Sequence, residues 1–248
     1  IGEQLGRGFG PALDIAVDPV EGTTLMSNGQ ENSLSVIAVA KRGSLLHAPD
    51  MYMEKIAVGP EAKGKIDINA PISQNIQAVA KAKGKKVEDI TVMIQDRPRH
   101  EHLIKQVIQV GGKIRLFQDV DITGAVATAM DDLRVDLLVG TGGAPEGVIS
   151  AVALKCLGGD FQAKLLPQNK AEIDRCLQMG IENPGVALSL DEIVTTDQCF
   201  FIATGITDGL LLKGVQKVNE TMVTHSLLAI GGEIKSFQFV KASHFIMS

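Results

Sequence analysis

Two carboxylates, a glycine and a hydroxyl group lie close together in residues 18–23, which read DPVEGT. Asp18 and Glu21 are three positions apart and would repel each other unless a cation lay between them. Mg²⁺ and Mn²⁺ prefer such hard oxygen ligands and commonly bind one or two carboxylates together with substrate phosphate. Gly22 would let the backbone approach a phosphate, and Thr23 adds a hydroxyl beside the metal. The run predicts a metal and phosphate site, with an Asp-Pro turn and a solvated glutamate as the alternative.

The run at 18–23 is predicted to follow a short buried strand at residues 13–17, which are mostly apolar. Proline has no backbone N–H group and cannot donate a hydrogen bond to a β-ladder. We therefore expect strand pairing to end at Pro19 and Asp18 to lie at the C-terminal end of the strand.

Residues 91–157 alternate between β-rich runs and helical periodicity, which indicates βαβ units and a parallel sheet. Open α/β sheets bind ligands beyond the carboxyl ends of their strands, so the residues that follow the strands are candidates for a site. The predicted strands span 91–94, 113–117 and 135–139, and the predicted helices span 102–110, 122–130 and 147–157.

Polar or glycine-rich segments follow all three of these predicted strands. They are Arg97-Pro98-Arg99, the pair Asp119 and Asp121, and residues 140–147, which include Glu146. Each segment alone has a structural alternative, namely solvated loop charges, helix caps or a plain turn. Because three strand ends carry suitable chemistry, together they favour a ligand site at this edge of the sheet.

The remaining apolar patterns predict further elements around this unit. Apolar residues recur at helical spacing between Pro71 and Gly84, which mark the start and the end of a predicted helix. The other predicted elements are a hairpin at 34–46, a helix at 171–179, a strand at 199–204 and a hairpin at 222–240.

The composition narrows the class of function. The chain has 248 residues and a formal net charge of −5, so it lacks the excess of basic residues that is typical of a nucleic-acid-binding protein. No run of about 18 apolar residues occurs, so we expect no membrane-spanning helix. Cys156, Cys176 and Cys199 have the spacing of neither a metal site nor a disulfide framework. This pattern predicts buried, reduced thiols in a cytoplasmic protein.

The run DIAVDPVEGT at 14–23 resembles the D-P-[ILV]-[DE]-G-T signature of the lithium-sensitive, metal-dependent sugar-phosphate phosphatases. Its glutamate form looks like the class II, GlpX-type fructose-1,6-bisphosphatases in particular. Segments around Tyr52, at 97–99, at 119–121 and at 142–147 match the same family in order and spacing. The resemblance implies hydrolysis of the 1-phosphate of fructose 1,6-bisphosphate in gluconeogenesis. It also implies a layered αβαβα sandwich, with a mixed sheet and a second βαβ half.

The resemblance implies a role for each matching residue. Thr23 would orient or deprotonate the nucleophilic water, with a carboxylate relay from Asp14 or from a segment before this chain. The arginines would contact a substrate phosphate, and Asp119 and Asp121 would bind sugar hydroxyls. The implied ligands of Mg²⁺ or Mn²⁺ are Asp18, Glu21 and Glu146. The implied substrate-binding residues are Glu21, Gly22, Thr23, Tyr52, Arg97, Pro98, Arg99, Asp119, Val120, Asp121 and Gly143.

Several expectations complete the interpretation. Class II relatives carry several tens of residues before the first residue of this chain, with two further acidic ligands. We therefore expect an incomplete metal-binding half at 1–90 and a sugar-phosphate-binding half at 91–248. Alternative functions are a phosphatase for sedoheptulose bisphosphate or inositol phosphate, and an inactive phosphosugar-binding protein. The expected partners are the sugar bisphosphate and further copies of the chain in a dimer or tetramer, with no nucleic acid or membrane. His100 is predicted to be structural.

Overall fold

A computed structural model describes residues 2–245 of the chain. These residues form twelve β-strands and seven α-helices. The strands are β1 (Leu13–Glu21), β2 (Leu34–Lys41), β3 (Tyr52–Val58), β4 (Thr91–Gln95), β5 (Lys113–Phe117), β6 (Leu137–Gly143), β7 (Asp160–Leu165), β8 (Leu188–Ser189), β9 (Cys199–Gly205), β10 (Gln216–Val218), β11 (Thr221–Ile230) and β12 (Ser236–Phe245). The helices are α1 (Thr23–Ser27), α2 (Ile72–Lys83), α3 (Glu101–Val110), α4 (Asp121–Ala127), α5 (Ala144–Leu157), α6 (Lys170–Gln178) and α7 (Leu190–Ile193).

The strands assemble into two sheets. Sheet A has the order β1-β2-β9-β11-β10, with β12 also paired to β11, and all of its pairs are antiparallel. Sheet B has the order β5-β4-β6-β3-β7-β8. In sheet B, β4 runs parallel to β5 and β6, whereas β3 is antiparallel to β6 and β7. The predicted parallel βαβ unit is confirmed, and it lies within a mixed sheet.

Both faces of sheet B are buried, because successive residues of its central strands point into different hydrophobic clusters. In β4, Val92 and Ile94 pack with α2 and α3, whereas Met93 packs with α4 and α5. In β6, Leu137 and Val139 face α2 and α3, and Leu138 faces the opposite side. Two buried faces explain why these strands read as continuous apolar runs rather than as an alternating pattern.

Helix α5 forms the layer between the two sheets, where α4 packs beside it. It is buried on almost every side and contacts strands of both sheets, as expected for an apolar core helix. The layers therefore run sheet A, α4 and α5, sheet B, α2 and α3. This order confirms the predicted layered α/β sandwich, and residues 2–245 form four layers of the expected αβαβα order. The first turn of α5 lies between the two sheets.

The outer face of sheet A carries no helix within residues 2–245, which corrects the prediction of a buried strand at 13–17. Leu13, Ile15 and Val17 project from this face and are 48–55% exposed. The prediction that pairing ends at Pro19 is also wrong. β1 continues to Glu21 with a shift in its pairing register after Asp18. An edge strand tolerates proline because one row of its backbone groups needs no partner.

The hairpin predicted at 34–46 is wrong, because β2 lies between β1 and β9 and a single bridge joins Leu45 to Val194. The hairpin predicted at 222–240 is confirmed as β11 and β12. Most of the other predicted elements occur with ends shifted by one to three residues. The strand predicted at 135–139 extends further, since β6 runs on through the glycines to Gly143.

The chain contributes to the two sheets in an interrupted order. Sheet A uses residues 13–41 and 199–245, and sheet B uses residues 52–189 between them. The division into halves at 1–90 and 91–248 stays a prediction. Within the described part of the chain, the helices are too short or too polar to cross a lipid bilayer.

Candidate active site

Three carboxylates from distant parts of the chain converge where β1 ends and α5 begins. Asp18 and Glu21 lie on either side of the register shift in β1, and Glu146 lies in the first turn of α5. Each can offer one oxygen so that the three oxygens lie within 4.8 Å of one another. We call Asp18, Glu21 and Glu146 the acidic cluster. Oxygens at this spacing can share a divalent cation.

The environment of the acidic cluster opposes its negative charge. Glu21 is only 6% exposed. Its burial, with the nearby Asp121, Asp18 and Glu146 carboxyl groups, raises the pKa of Glu21 to about 10. Burial also raises the pKa of Glu146. Without a cation, Glu21 therefore holds a proton at neutral pH, and a bound cation would compete with that proton.

One oxygen of the acidic cluster is open to a further partner. The Oε2 atom of Glu146 is buried and has no hydrogen-bond partner among the residues that the structure describes. Buried polar atoms are usually paired, so this oxygen is available to a water molecule or a cation. All potential metal-ligand atoms of the acidic cluster are hard oxygens, which Mg²⁺ and Mn²⁺ prefer. The residues present fit a divalent cation.

Glycines allow the side chains of the site to approach the backbone. A Cβ atom at Gly143 would overlap Glu146 Oε2, and one at Gly142 would overlap Asp121 Oδ2. Gly22 has φ +79°, and a Cβ atom there would lie 2.8 Å from Val120 Cγ2. Larger residues at these positions would displace the carboxylates or the turn that carries them. Residues 140–143 are the last residues of β6, whereas the sequence alone also allowed a plain turn there.

Thr23 opens α1 directly after Gly22, which is the N-cap residue, and its side chain is exposed. The helix has no side-chain capping hydrogen bond, so the structure gives Thr23 no capping role. Asp14, a candidate relay residue, accepts hydrogen bonds from the N–H groups of Gly43 and Ser44. It lies four residues before Asp18, about 13 Å along the strand, and its relay role stays a prediction.

A guanidinium group is fixed beyond the end of β4. Pro98 opens a short 3-10 turn at residues 98–100. Arg99 donates from Nε and Nη2 to the carbonyl oxygen of Thr141, at 3.1 and 2.9 Å, and from Nη2 to Gln95 Oε1 at 2.7 Å. Its guanidinium carbon lies 5.1 Å from the centre of the Tyr52 ring, within the range of a cation–π interaction. These contacts hold Arg99 beside the only tyrosine of the chain.

His100 binds the backbone of the same residue, Thr141, through its N–H group. Its Nε2 atom accepts a hydrogen bond from the N–H of Thr141 at 2.8 Å, and Nδ1 donates to the carbonyl oxygen of Gln95 at 2.8 Å. This pattern requires the neutral imidazole with its proton on Nδ1. Burial lowers the pKa of His100, which favours that form. The contacts are those of the predicted structural residue, and they join β4 to β6 beneath Arg99.

The connection between β5 and α4 is strained. Val120 has φ 73°, a left-handed conformation that is uncommon for a β-branched residue, and it is buried against Gly22. Its backbone N–H donates to Asp119 Oδ1 at 3.2 Å. Strain of this kind often occurs at functional sites, where surrounding contacts hold a particular conformation. It brings Asp121 to the first position of α4.

Sequence reasoning missed Lys55. This residue of β3 is 3% exposed, and its ammonium group is bonded to Asp121 Oδ2. A narrow pocket has Lys55, Asp121, Gln95, His100 and Thr141 among its lining residues. The sequence signal was a charged residue inside an apolar strand, three residues after Tyr52. Gln95 and Thr141 had no signal, since they act through ordinary hydrogen bonds.

The structure brings most of the predicted site residues together, but not all of them. Gly143 joins the acidic cluster to the Arg99 turn, because it adjoins Glu146 and pairs with Tyr52 across sheet B. Arg97 donates to the carbonyl oxygen of its neighbour in sequence at 3.2 Å. Among the described residues, neither Arg97 nor Asp119 has a hydrogen bond to the acidic cluster. Their predicted substrate contacts stay predictions.

Comparisons with known proteins show the family of the chain. A family model described as bacterial fructose-1,6-bisphosphatase, glpX-encoded, matches residues 1–244. The chain is 41% identical to the class 2 fructose-1,6-bisphosphatase of Haemophilus influenzae, over 99% of this chain and 77% of the relative. It is 42% identical to fructose-1,6-bisphosphatase 1 class 2 of Escherichia coli K12, over 99% of this chain and 76% of the relative. The chain therefore belongs to the family of bacterial, glpX-encoded fructose-1,6-bisphosphatases.

Proposed function

We propose that this protein hydrolyses the 1-phosphate of fructose 1,6-bisphosphate, with Mg²⁺ or Mn²⁺ bound by Asp18, Glu21 and Glu146. The products are fructose 6-phosphate and phosphate, as in gluconeogenesis. The observation that carries the proposal is the convergence of three carboxylates around Glu146 Oε2, a buried oxygen without a partner among the described residues. Family membership supports the choice of substrate.

Each group of the site has a distinct part in this reaction. Divalent cations, when bound, neutralise phosphoryl charge and acidify water. Thr23 orients the attacking water. This role requires a hydroxyl group beside the acidic cluster and does not require a strong base. Arg97 and Arg99 bind the phosphate that does not react, because a guanidinium fork matches its oxygens. Asp119 and Asp121 accept hydrogen bonds from the sugar hydroxyls.

Other residues shape the substrate site. Tyr52 packs against Arg99 at the phosphate-binding end, and Gly22 and Gly143 leave room for the substrate next to the carboxylates. Pro98 and Val120 fix the backbone of the two loops that carry Arg99 and Asp121. Membership of the lithium-sensitive superfamily, a homodimer or homotetramer and a cytoplasmic location stay predictions.

Phosphate release from fructose 1,6-bisphosphate is the direct test of this function. We expect release in the presence of Mg²⁺ or Mn²⁺, and its loss in excess EDTA, because the acidic cluster then binds no cation. Sedoheptulose bisphosphate and inositol phosphate assayed in parallel would measure the preference for substrate. Release that continues undiminished in EDTA would contradict the metal-dependent mechanism. Binding of fructose 6-phosphate without turnover in Mn²⁺ would indicate an inactive phosphosugar-binding protein instead.

An Arg99→Ala variant is expected to raise the KM for fructose 1,6-bisphosphate by about tenfold or more while kcat changes by less than about threefold. A guanidinium on the phosphate that does not react stabilises ground state and transition state alike. Arg115→Ala is a matched control, since Arg115 also donates to a backbone carbonyl, that of Leu133. An unchanged KM in Arg99→Ala, measured by steady-state phosphate release, would remove Arg99 from the substrate site.

A further inference from the structure

Lys55 places a positive charge inside the protein, next to the acidic cluster. Its side chain is 3% exposed, and its ammonium group is paired with Asp121, whose side chain is 15% exposed. Burying an ammonium group is costly unless a counter-charge and hydrogen bonds compensate. The pair uses Oδ2 of Asp121 and leaves Oδ1 for another partner.

Two glycines leave room for this ion pair. A Cβ atom at Gly142 would overlap Asp121 Oδ2 and lie 3.2 Å from Lys55 Nζ. A Cβ atom at Gly147 would overlap Met53 Sδ and lie 3.2 Å from Lys55 Cε. Gly147 is inside α5, where glycine is less favourable than alanine. The glycine at this helical position leaves room for the side chains of both Met53 and Lys55.

The pair lies close to the acidic cluster. Burial raises the pKa of Glu146, and the nearby Lys55 charge opposes that rise. Burial raises the pKa of Glu21, and the nearby Asp121 charge adds to that rise. Among the described residues, however, the carboxylate oxygens that meet within 4.8 Å are those of Asp18, Glu21 and Glu146. The Asp121 carboxylate therefore lies beside the acidic cluster, and the Lys55 ammonium group holds it there.

We propose that Lys55 is a positioning residue that keeps Asp121 apart from the acidic cluster and presents the free carboxylate oxygen of Asp121 to a hydroxyl group of the sugar. This inference rests on the proposed function, since it assigns the sugar contact within the same site. Without Lys55, the carboxylate of Asp121 would have no counter-charge and would turn towards any cation that the cluster holds. Lys55 therefore divides one acidic site into a metal-binding part and a sugar-binding part.

The test compares Lys55→Met with Lys155→Met. Lys155 is another buried lysine paired with aspartates, Asp191 and Asp197. It lies nine residues after Glu146, about 13 Å along α5. We expect Lys55→Met to raise the KM for fructose 1,6-bisphosphate and the Kd for fructose 6-phosphate by about tenfold or more. Its affinity for Mn²⁺, measured by the electron paramagnetic resonance of the free ion, should be unchanged or higher. Lys155→Met should change none of these constants.

A second variant keeps the test valid if Lys55→Met does not fold, because an unpaired buried carboxylate is destabilising. In the double variant Lys55→Met/Asp121→Asn neither charge is left without a partner. Because Lys55 acts through Asp121, the double variant should bind fructose 6-phosphate no more weakly than Asp121→Asn alone. A further large loss in the double variant would overturn the inference.

The outcomes separate this inference from the proposed function. If the wild-type protein neither hydrolyses fructose 1,6-bisphosphate nor binds fructose 6-phosphate, the proposed function is wrong and the inference is wrong with it. If the wild-type protein is active and Lys55→Met binds fructose 6-phosphate as tightly as Lys155→Met does, only the inference is wrong. A parallel loss of Mn²⁺ and fructose 6-phosphate affinity in Lys55→Met would indicate a merely structural lysine and would also overturn it.

Discussion

A Thr23→Ala variant is expected to hydrolyse fructose 1,6-bisphosphate with a kcat reduced by about 10²-fold or more and a KM close to that of the wild type. Thr23 is the last residue of the run at 18–23 and is exposed at the start of α1. The three carboxylates of the acidic cluster remain in the variant, so the cation and the substrate should still bind. Steady-state phosphate release in Mn²⁺ measures both constants.

The neighbouring threonine provides a control for Thr23. Thr24→Ala removes the same atoms from the next exposed residue of α1 and should leave kcat unchanged. Thr23→Ser keeps the hydroxyl group and should retain part of the activity. Loss of a capping side chain would cost about 1 kcal/mol of stability, but α1 has no such hydrogen bond. A Thr23→Ala protein with near-normal kcat would therefore contradict the catalytic role, whatever its melting temperature.

The sequence predicted the βαβ unit and its strand ends well because the relevant signals are local. Short apolar runs specified β4, β5 and β6, and parallel strands must present their carboxyl ends at one edge of a sheet. That geometry brings His100 and Asp121 to the pocket beside β6. The convergence of Glu146 on Asp18 depends instead on how α5 packs between the sheets, and only the family resemblance predicted it.

The errors at β1 have a physical cause that a single sequence does not reveal. Ile15 and Val17 have the apolar side chains of a buried strand, yet their face of sheet A is exposed. The alternation of side chains gives the two faces of a strand but not what covers each face. Pro19 likewise ends a central strand but is tolerated at an edge, and the position of β1 in the sheet depends on residues far along the chain.

Lys55 was missed because its burial and its ion pair depend on distant parts of the chain. A lone lysine in a strand is usually a solvated side chain, whereas this one is buried and paired with Asp121, beside Gly142. The hydrogen bonds of His100 were similarly hidden, since the N–H of Thr141 is a backbone group. Contacts that use backbone atoms leave little trace in the sequence of their partners.

A Glu21→Gln variant is expected to lose metal-dependent activity by about 10³-fold or more while its metal-free form becomes more stable than the wild type at neutral and alkaline pH. The folded protein holds the Glu21 carboxyl at a pKa of about 10, against an ordinary value of 4.5. Between these values the folded state binds a proton that the unfolded state releases, so wild-type stability falls as the pH rises. Glutamine does not ionise, so the variant does not lose stability in this way. The loss that it avoids is on the order of a few kcal/mol of unfolding free energy at neutral pH.

Added Mn²⁺ should reverse the order of stability of the two proteins. A cation that binds only the folded state stabilises it, and glutamine in place of Glu21 removes a charged ligand from the acidic cluster. In EDTA the melting temperature of Glu21→Gln should therefore exceed that of the wild type by a margin that grows from pH 5 to pH 8. In Mn²⁺ at pH 8 the wild type should be the more stable protein. Glu88→Gln, at an exposed surface ion pair, should behave as wild type in both conditions. A Glu21→Gln protein that gains as much stability from Mn²⁺ as the wild type does would contradict the assignment of Glu21 as a metal ligand.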